Sequence, residues 1–132
     1  MKKIVTAILI SLLLITACKT STVIYNSDSS IAAHDADLDT VRTTIIESLS
    51  KRRWEILQEE PGMFRAGINV RSHYAEIIIR YSATDLKINY VKSSNLDYNA
   101  SSNKIHRNYN KWVRNIEQDV IFGLQTKNYV SE

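Results

Sequence analysis

The sequence predicts an α+β domain: a four-stranded antiparallel sheet with two helices packed on one face, in the order α-β-β-β-β-α. Three observations predict it. Between Phe64 and Tyr90, apolar and polar side chains alternate over three successive runs, the period of a half-buried strand. On both sides of that region apolar residues recur every three or four positions, the spacing of one helix face. The links between the alternating runs are short, which favours hairpins over crossovers.

The first helix starts near Asp37. Leu38, Val41, Ile45 and Leu49 line one face, Asp35, Asp37 and Asp39 gather where an N-cap oxygen and negative charge are favoured, and Lys51, Arg52 and Arg53 stand where positive charge suits the dipole. The β-branched run Thr43-Thr44-Ile45-Ile46 would suit a strand, but the periodicity and the matching end charges decide for a helix. Trp54 to Glu60 reads as a short strand closed by Pro61-Gly62, a type II turn pair in which Pro presets φ and Gly accepts positive φ.

After the turn, Phe64, Ala66, Ile68 and Val70 share one face against Arg65, Gly67, Asn69 and Arg71. His73, Ala75, Ile77, Ile79 and Tyr81 then oppose Tyr74, Glu76, Ile78 and Arg80, and Leu86, Ile88 and Tyr90 oppose Lys87 and Asn89. One apolar and one charged face describe an antiparallel meander covered on a single side. A polar stretch from Lys92 to Asn103 leads to a second helix, with Ile105, Tyr109, Trp112, Ile116 and Val120 in its stripe, Val113 and Leu124 widening it, and Ser101, Ser102 and Asn103 as candidate caps.

Ahead of all this stands MKKIVTAILISLLLITAC, two lysines, an apolar run and small residues before the chain's single cysteine. That order reads as a secretion signal, and the run falls short of the roughly 20 residues that span a bilayer. Ile15-Thr16-Ala17-Cys18 resembles the lipobox of bacterial lipoproteins. The resemblance implies cleavage between Ala17 and Cys18, a diacylglyceryl group on the Cys18 thiol, and an acylated new amino terminus. Membrane lipid, reached through acylated Cys18, is therefore the expected first partner. Lys19 departs from the aspartate that marks inner-membrane retention in enterobacterial lipoproteins, so the resemblance favours the periplasmic leaflet of the outer membrane. Arg53-Trp54, Pro61-Gly62 and the run Asn108-Tyr109-Asn110-Lys111-Trp112 make the remainder loosely similar to small proteobacterial envelope lipoproteins of α+β build, a likeness that carries no activity with it.

The expected divisions are a cleaved signal at 1–17, a lipidated cysteine and flexible tether at 18–36, the α+β domain at 37–126 and a C-terminal tail at 127–132. The tether is rich in Ser, Thr, Asp and Ala, with Val23-Ile24-Tyr25 as the part expected to dock loosely, and would reach roughly 60 Å if extended. Cleavage removes Lys2 and Lys3 and no acid, so the formal charge of +3 falls to +1. A near-neutral chain that is exported gives no support for nucleic-acid binding.

Motifs for chemistry are sparse. The sequence has no G-x-S-x-G elbow, no phosphate-cradling glycine loop and no H-E-x-x-H. His34, His73 and His106 are dispersed, so no metal site and no cofactor is expected. The carboxylates Glu59, Glu60, Glu76 and Asp97 fall in no evident apolar pocket that would raise a pKa, so no catalytic residue is assigned and an enzyme is not expected.

Two binding surfaces remain. The polar sheet face would present Arg65, Arg71, Tyr74, Glu76, Arg80 and Lys87 to an anionic partner, or else stand solvated with Glu76 bridging a neighbouring arginine. The segment from Ser93 to Trp112 places Asn95, Asp97, Tyr98 and Arg107 where amides, a carboxylate and flat rings could grip a sugar, although Tyr109 and Trp112 fit the core stripe. The sequence thus points to a non-enzymatic binding or scaffolding module with a protein or cell-wall partner. An inhibitor or immunity protein against an envelope hydrolase or toxin is the alternative, and a cell-wall hydrolase the least supported.

Overall fold

The computed structural model describes residues 19–130; the signal, Ala17 and Cys18 lie outside them. Two short strands, β1 (Ser21–Val23) and β2 (Ser27–Ser30), precede one turn of 3-10 helix at Ala32–His34 and the helix α1 (Leu38–Lys51). β3 (Glu55–Glu60), β4 (Met63–Val70), β5 (His73–Tyr81) and β6 (Asp85–Ser94) form the meander, and β7 (Lys104–His106) leads into α2 (Arg107–Val130). The large sheet is antiparallel in the order β2-β6-β5-β4-β3, and β1 pairs with β7 as a separate antiparallel ribbon. The class is the α+β one predicted, but the large sheet has five strands rather than four.

The fifth strand comes from the segment expected to be a tether, and that expectation is corrected. Ile24 and Ile31 are buried with the rest of the core. The Ile31 N–H donates to the Thr84 carbonyl at 2.8 Å and the Ile24 N–H to the Asn103 carbonyl at 2.9 Å. Asn110, itself buried, accepts from the Tyr25 N–H and donates to the Val23 carbonyl, each at 2.8 Å. The composition misleads because β2 reads Ser-Asp-Ser-Ser: its place is set by backbone pairing to β6, not by apolar side chains.

Phe64, Ile79 and Ile88 lie abreast across β4, β5 and β6, and with Val41, Ile45, Leu49, Val113, Ile116 and Val120 they form one core. Both helices thus cover the same sheet face. The Asp37 carboxylate caps α1 by accepting from the Thr40 N–H at 2.7 Å, which holds its carboxyl below the ordinary value. At the other end Trp54 and Arg53 donate back to the Leu49 and Ser50 carbonyls, a Schellman closure with Arg53 at φ 63° where glycine is usual. The Pro61-Gly62 turn forms as expected, with Gly62 at φ 75°.

Two helix boundaries differ from the sequence pattern. Lys104, Ile105 and His106 pair with β1, so α2 begins at Arg107, not beside Ser101 to Asn103. It then continues through Val130, so residues 127–130 extend the helix rather than form a tail. β3 forms one edge of the sheet, opposite β2: all six of its residues are exposed, Glu55, Glu59 and Glu60 among them, and a bulge falls between Ile56 and Gln58.

α1 and α2 approach closely where Gly123 faces Thr44; a Cβ on Gly123 would stand 2.7 Å from Thr44 Cγ2. The Thr44 hydroxyl is held by the Thr40 carbonyl and the Lys127 ammonium, so its methyl has little room to turn. Gly123→Ala is therefore expected to destabilise by about 1–2 kcal/mol in chemical denaturation, since overpacking outweighs the gain of about 1 kcal/mol in helix propensity. In a Thr44→Ser background the same change should turn neutral or stabilising, and equal effects in both backgrounds would refute the contact. Asn110→Ala, which strips two backbone groups of their partner, should lower unfolding free energy by about 2–3 kcal/mol. A loss below about 0.5 kcal/mol would mean that residues 23–25 are held by other contacts.

Candidate functional site

The polar sheet face divides into separate parts. At its centre Arg65, Tyr74 and Glu76 converge. Arg65 reaches Glu76 Oε2 through Nε at 2.7 Å and Nη2 at 2.6 Å, and the Tyr74 hydroxyl donates to Oε1 at 2.6 Å. Lys92 stands 3.5 Å from the same Oε1. The Glu76 side chain is only 6% exposed although it projects from the face the helices do not cover. Gly67 makes this possible: Tyr74 and Leu57 lie over it, at 3.0 and 3.1 Å from where a Cβ would be. Burial pushes the Glu76 carboxyl up, but the Tyr74 and Arg65 hydrogen bonds outweigh it and leave the group below its ordinary value. The Tyr74 hydroxyl, bonded to that carboxylate, is pushed up to about 12.

The other residues assigned to this face lie elsewhere. Arg80 and Lys87 sit opposite each other on β5 and β6, a like-charge pair relieved by Asp28 at 3.6 Å from Lys87. Six residue steps along β5 separate Arg80 from Tyr74, about 20 Å at the strand rise. Arg71 occupies the β4–β5 turn at φ 57°.

The candidate ligand loop is also divided. Asn95, at φ 58°, donates through its side-chain amide to Ser72 Oγ at 2.9 Å, and its carbonyl accepts from His73 Nδ1 at 2.6 Å. These bonds fasten the loop to the β4–β5 turn. The rings of His73 and His106 then stack with centroids 6.2 Å apart. Asp97 is exposed at φ 52°, and Tyr98 lies on Tyr90 with centroids 4.4 Å apart. Tyr109 meets Tyr90 edge-on from within the core. Arg107 belongs to a different place, the first turn of α2, where its N–H donates to the Thr20 carbonyl at 2.7 Å.

Three features escaped the sequence pattern. Glu117 on α2 accepts from the Tyr25 hydroxyl at 2.7 Å and from the Ser29 hydroxyl, with Arg114 4.3 Å above the Tyr25 ring. Burial raises the Glu117 carboxyl, but these hydrogen bonds bring it below the ordinary value. Tyr25 and Ser29 come from the segment read as a tether, so no local signal could have joined them to Glu117. A groove of about 490 Å³ runs between the helices, lined by Thr44, Ser48, Phe122 and Thr126. A second, of about 450 Å³, lies at the Tyr81 end of the sheet between Leu38, Arg42, Glu59 and Pro61. Arg42 Nε and Glu59 Oε1 pair across it at 2.5 Å. Among the described residues no three of His, Cys, Asp and Glu group to hold a metal ion, and no helix is long and apolar enough to cross a membrane.

Glu76 and Asp119, the latter gripped by Arg52 at 2.6 and 3.1 Å, both carry carboxyls held below their ordinary values. Their stabilising contribution is complete above the unfolded-state carboxylate range and is lost as pH falls through the lower folded-state values. Stability measured by denaturation should therefore decline below about pH 4.5, and Glu76→Gln should flatten that decline. An unchanged acid limb in Glu76→Gln would show that this carboxylate is not linked to folding.

No protein-family model matches the chain, and comparison with curated proteins and with solved structures likewise finds no match.

Proposed function

We propose that the protein is a membrane-anchored envelope lipoprotein, held by acyl chains on Cys18 and acting as a non-enzymatic binding module in the periplasm. The observation that carries this reading is the sequence MKKIVTAILISLLLITAC, in which a basic start, a short apolar run and Ile15-Thr16-Ala17-Cys18 coincide. More than one acyl chain makes such attachment lasting, since each buried methylene contributes about 0.8 kcal/mol.

The position of the fold relative to Cys18 bears on what the module presents. Thr20 is already hydrogen-bonded to Arg107, so the folded part begins two residues after the acylated cysteine. The stacked His73 and His106 put the start of β5 near that entry. Tyr81, at the far end of β5, borders the groove of Leu38, Arg42, Glu59 and Pro61 about 26 Å away. This distal groove is the surface directed away from the bilayer, and a protein or cell-wall partner is engaged there and along the polar sheet face.

Cys18→Ser should move the chain from the membrane pellet to the soluble fraction or leave it uncleaved, and mass spectrometry of the parent should find the acyl additions on Cys18. A parent with an unmodified thiol, together with a mutant that sediments like the parent, overturns the anchoring. A photo-crosslinker at Leu38 should capture a membrane-fraction partner that one at the opposite end, at Arg71, does not; identical capture at both positions counts against the distal groove.

A further inference from the structure

We infer that the end of the domain next to the anchor is an electrostatic footing that lies on anionic phospholipid headgroups. The inference rests on the reading of Cys18 as acylated for where the bilayer is, and on the charge of the fold for what happens there. Thr20 accepts from Arg107, Val23 pairs with Lys104, and Tyr25 lies under Arg114, so the first described residues run along the start of α2. Between them, residues 19–27 and 104–116 carry Lys19, Lys104, Arg107, Lys111 and Arg114 and no acid. Glu117, which accepts from the Tyr25 hydroxyl, and Asp97, in the adjoining loop, are acidic residues on this side.

The placement of these cations works against the fold. Arg107 and Lys111 occupy the opening turns of α2, where the dipole favours carboxylates, and the first turn has none. Elsewhere in the described residues Arg42, Arg52, Arg65 and Lys87 have acidic partners, while Arg53, Arg71 and Arg80, each in a different place, also make no ion pair. Lys104, Arg107 and Lys111 are exposed and make no ion pair among the described residues. Surface cations unpaired within the protein, beside the point where the chain meets the bilayer, fit headgroup phosphates. Each basic residue near an anionic surface multiplies attachment by about fivefold, so three give about a hundredfold.

The test uses the full chain reconstituted on vesicles of phosphatidylcholine alone or with about a third phosphatidylglycerol, with amine acetylation followed at each lysine by mass spectrometry. Lys104 and Lys111 should react at least about fivefold more slowly on the anionic vesicles, and Lys87 and Lys92 at one rate on both. Raising salt to about 0.5 M, where screening acts within about 4 Å, should abolish the contrast. The combined variant Lys104→Gln, Arg107→Gln, Lys111→Gln should also lose protection of Lys19, while Lys104→Arg, Lys111→Arg keeps it. Equal rates on both vesicles overturn the inference, as does slowing shared by Lys87 and Lys92. Protection by inorganic phosphate without anionic lipid overturns it too, because the site would then bind a small anion. Intact mass on the same samples reports Cys18: a bare thiol removes the anchor reading, whereas the labelling contrast alone decides the footing.

Discussion

The grip of Asn110 on the backbone of residues 23 and 25 is the contact on which the arrangement of this molecule depends. One buried amide on α2 supplies an acceptor to Tyr25 and a donor to Val23, the two groups at the exit of β1. With that segment fixed, Ile24 enters the core, β2 reaches β6, and Tyr25 arrives at Glu117. A backbone segment with few apolar side chains cannot hold itself in place by burial. It is held because its polar groups are satisfied by a helix that the rest of the core has already positioned.

How much of this was legible in the sequence follows from what kind of force fixes each part. The three strands from Phe64 to Tyr90 carry strict alternation because one face is buried and the other wet, and the registers place Phe64, Ile79 and Ile88 side by side. The helices carry stripes for the same reason. The fifth strand was illegible because β2 is Ser-Asp-Ser-Ser, too short and polar to show a period, and its partner is remote in the chain. β7 was misread since Ile105 suits a helical stripe equally well when it points into the core from a strand. Composition alone cannot tell a solvated linker from a strand paired through its backbone.

The candidate site was partly legible for a related reason. The pairing of Glu76 with an arginine could be read from strand parity, because residues on one face at neighbouring registers must meet. Its burial could not, since that follows from Gly67 leaving space for Tyr74 to lie flat across β4. The resulting Arg65–Tyr74–Glu76 cluster satisfies its own charges. Lys104, Arg107 and Lys111, exposed and without an ion pair among the described residues, stand beside the entry of the chain.

The exposed strand β3 has a consequence for crowding. Copies confined to one plane and standing at one height would bring their sheet edges level, the geometry in which strands of neighbouring molecules zip together. Here the outermost strand is kinked at Leu57 and carries Glu55, Glu59 and Glu60, so a second copy offers it mismatched spacing and like charge. Edge-to-edge stacking through β3 is thereby discouraged.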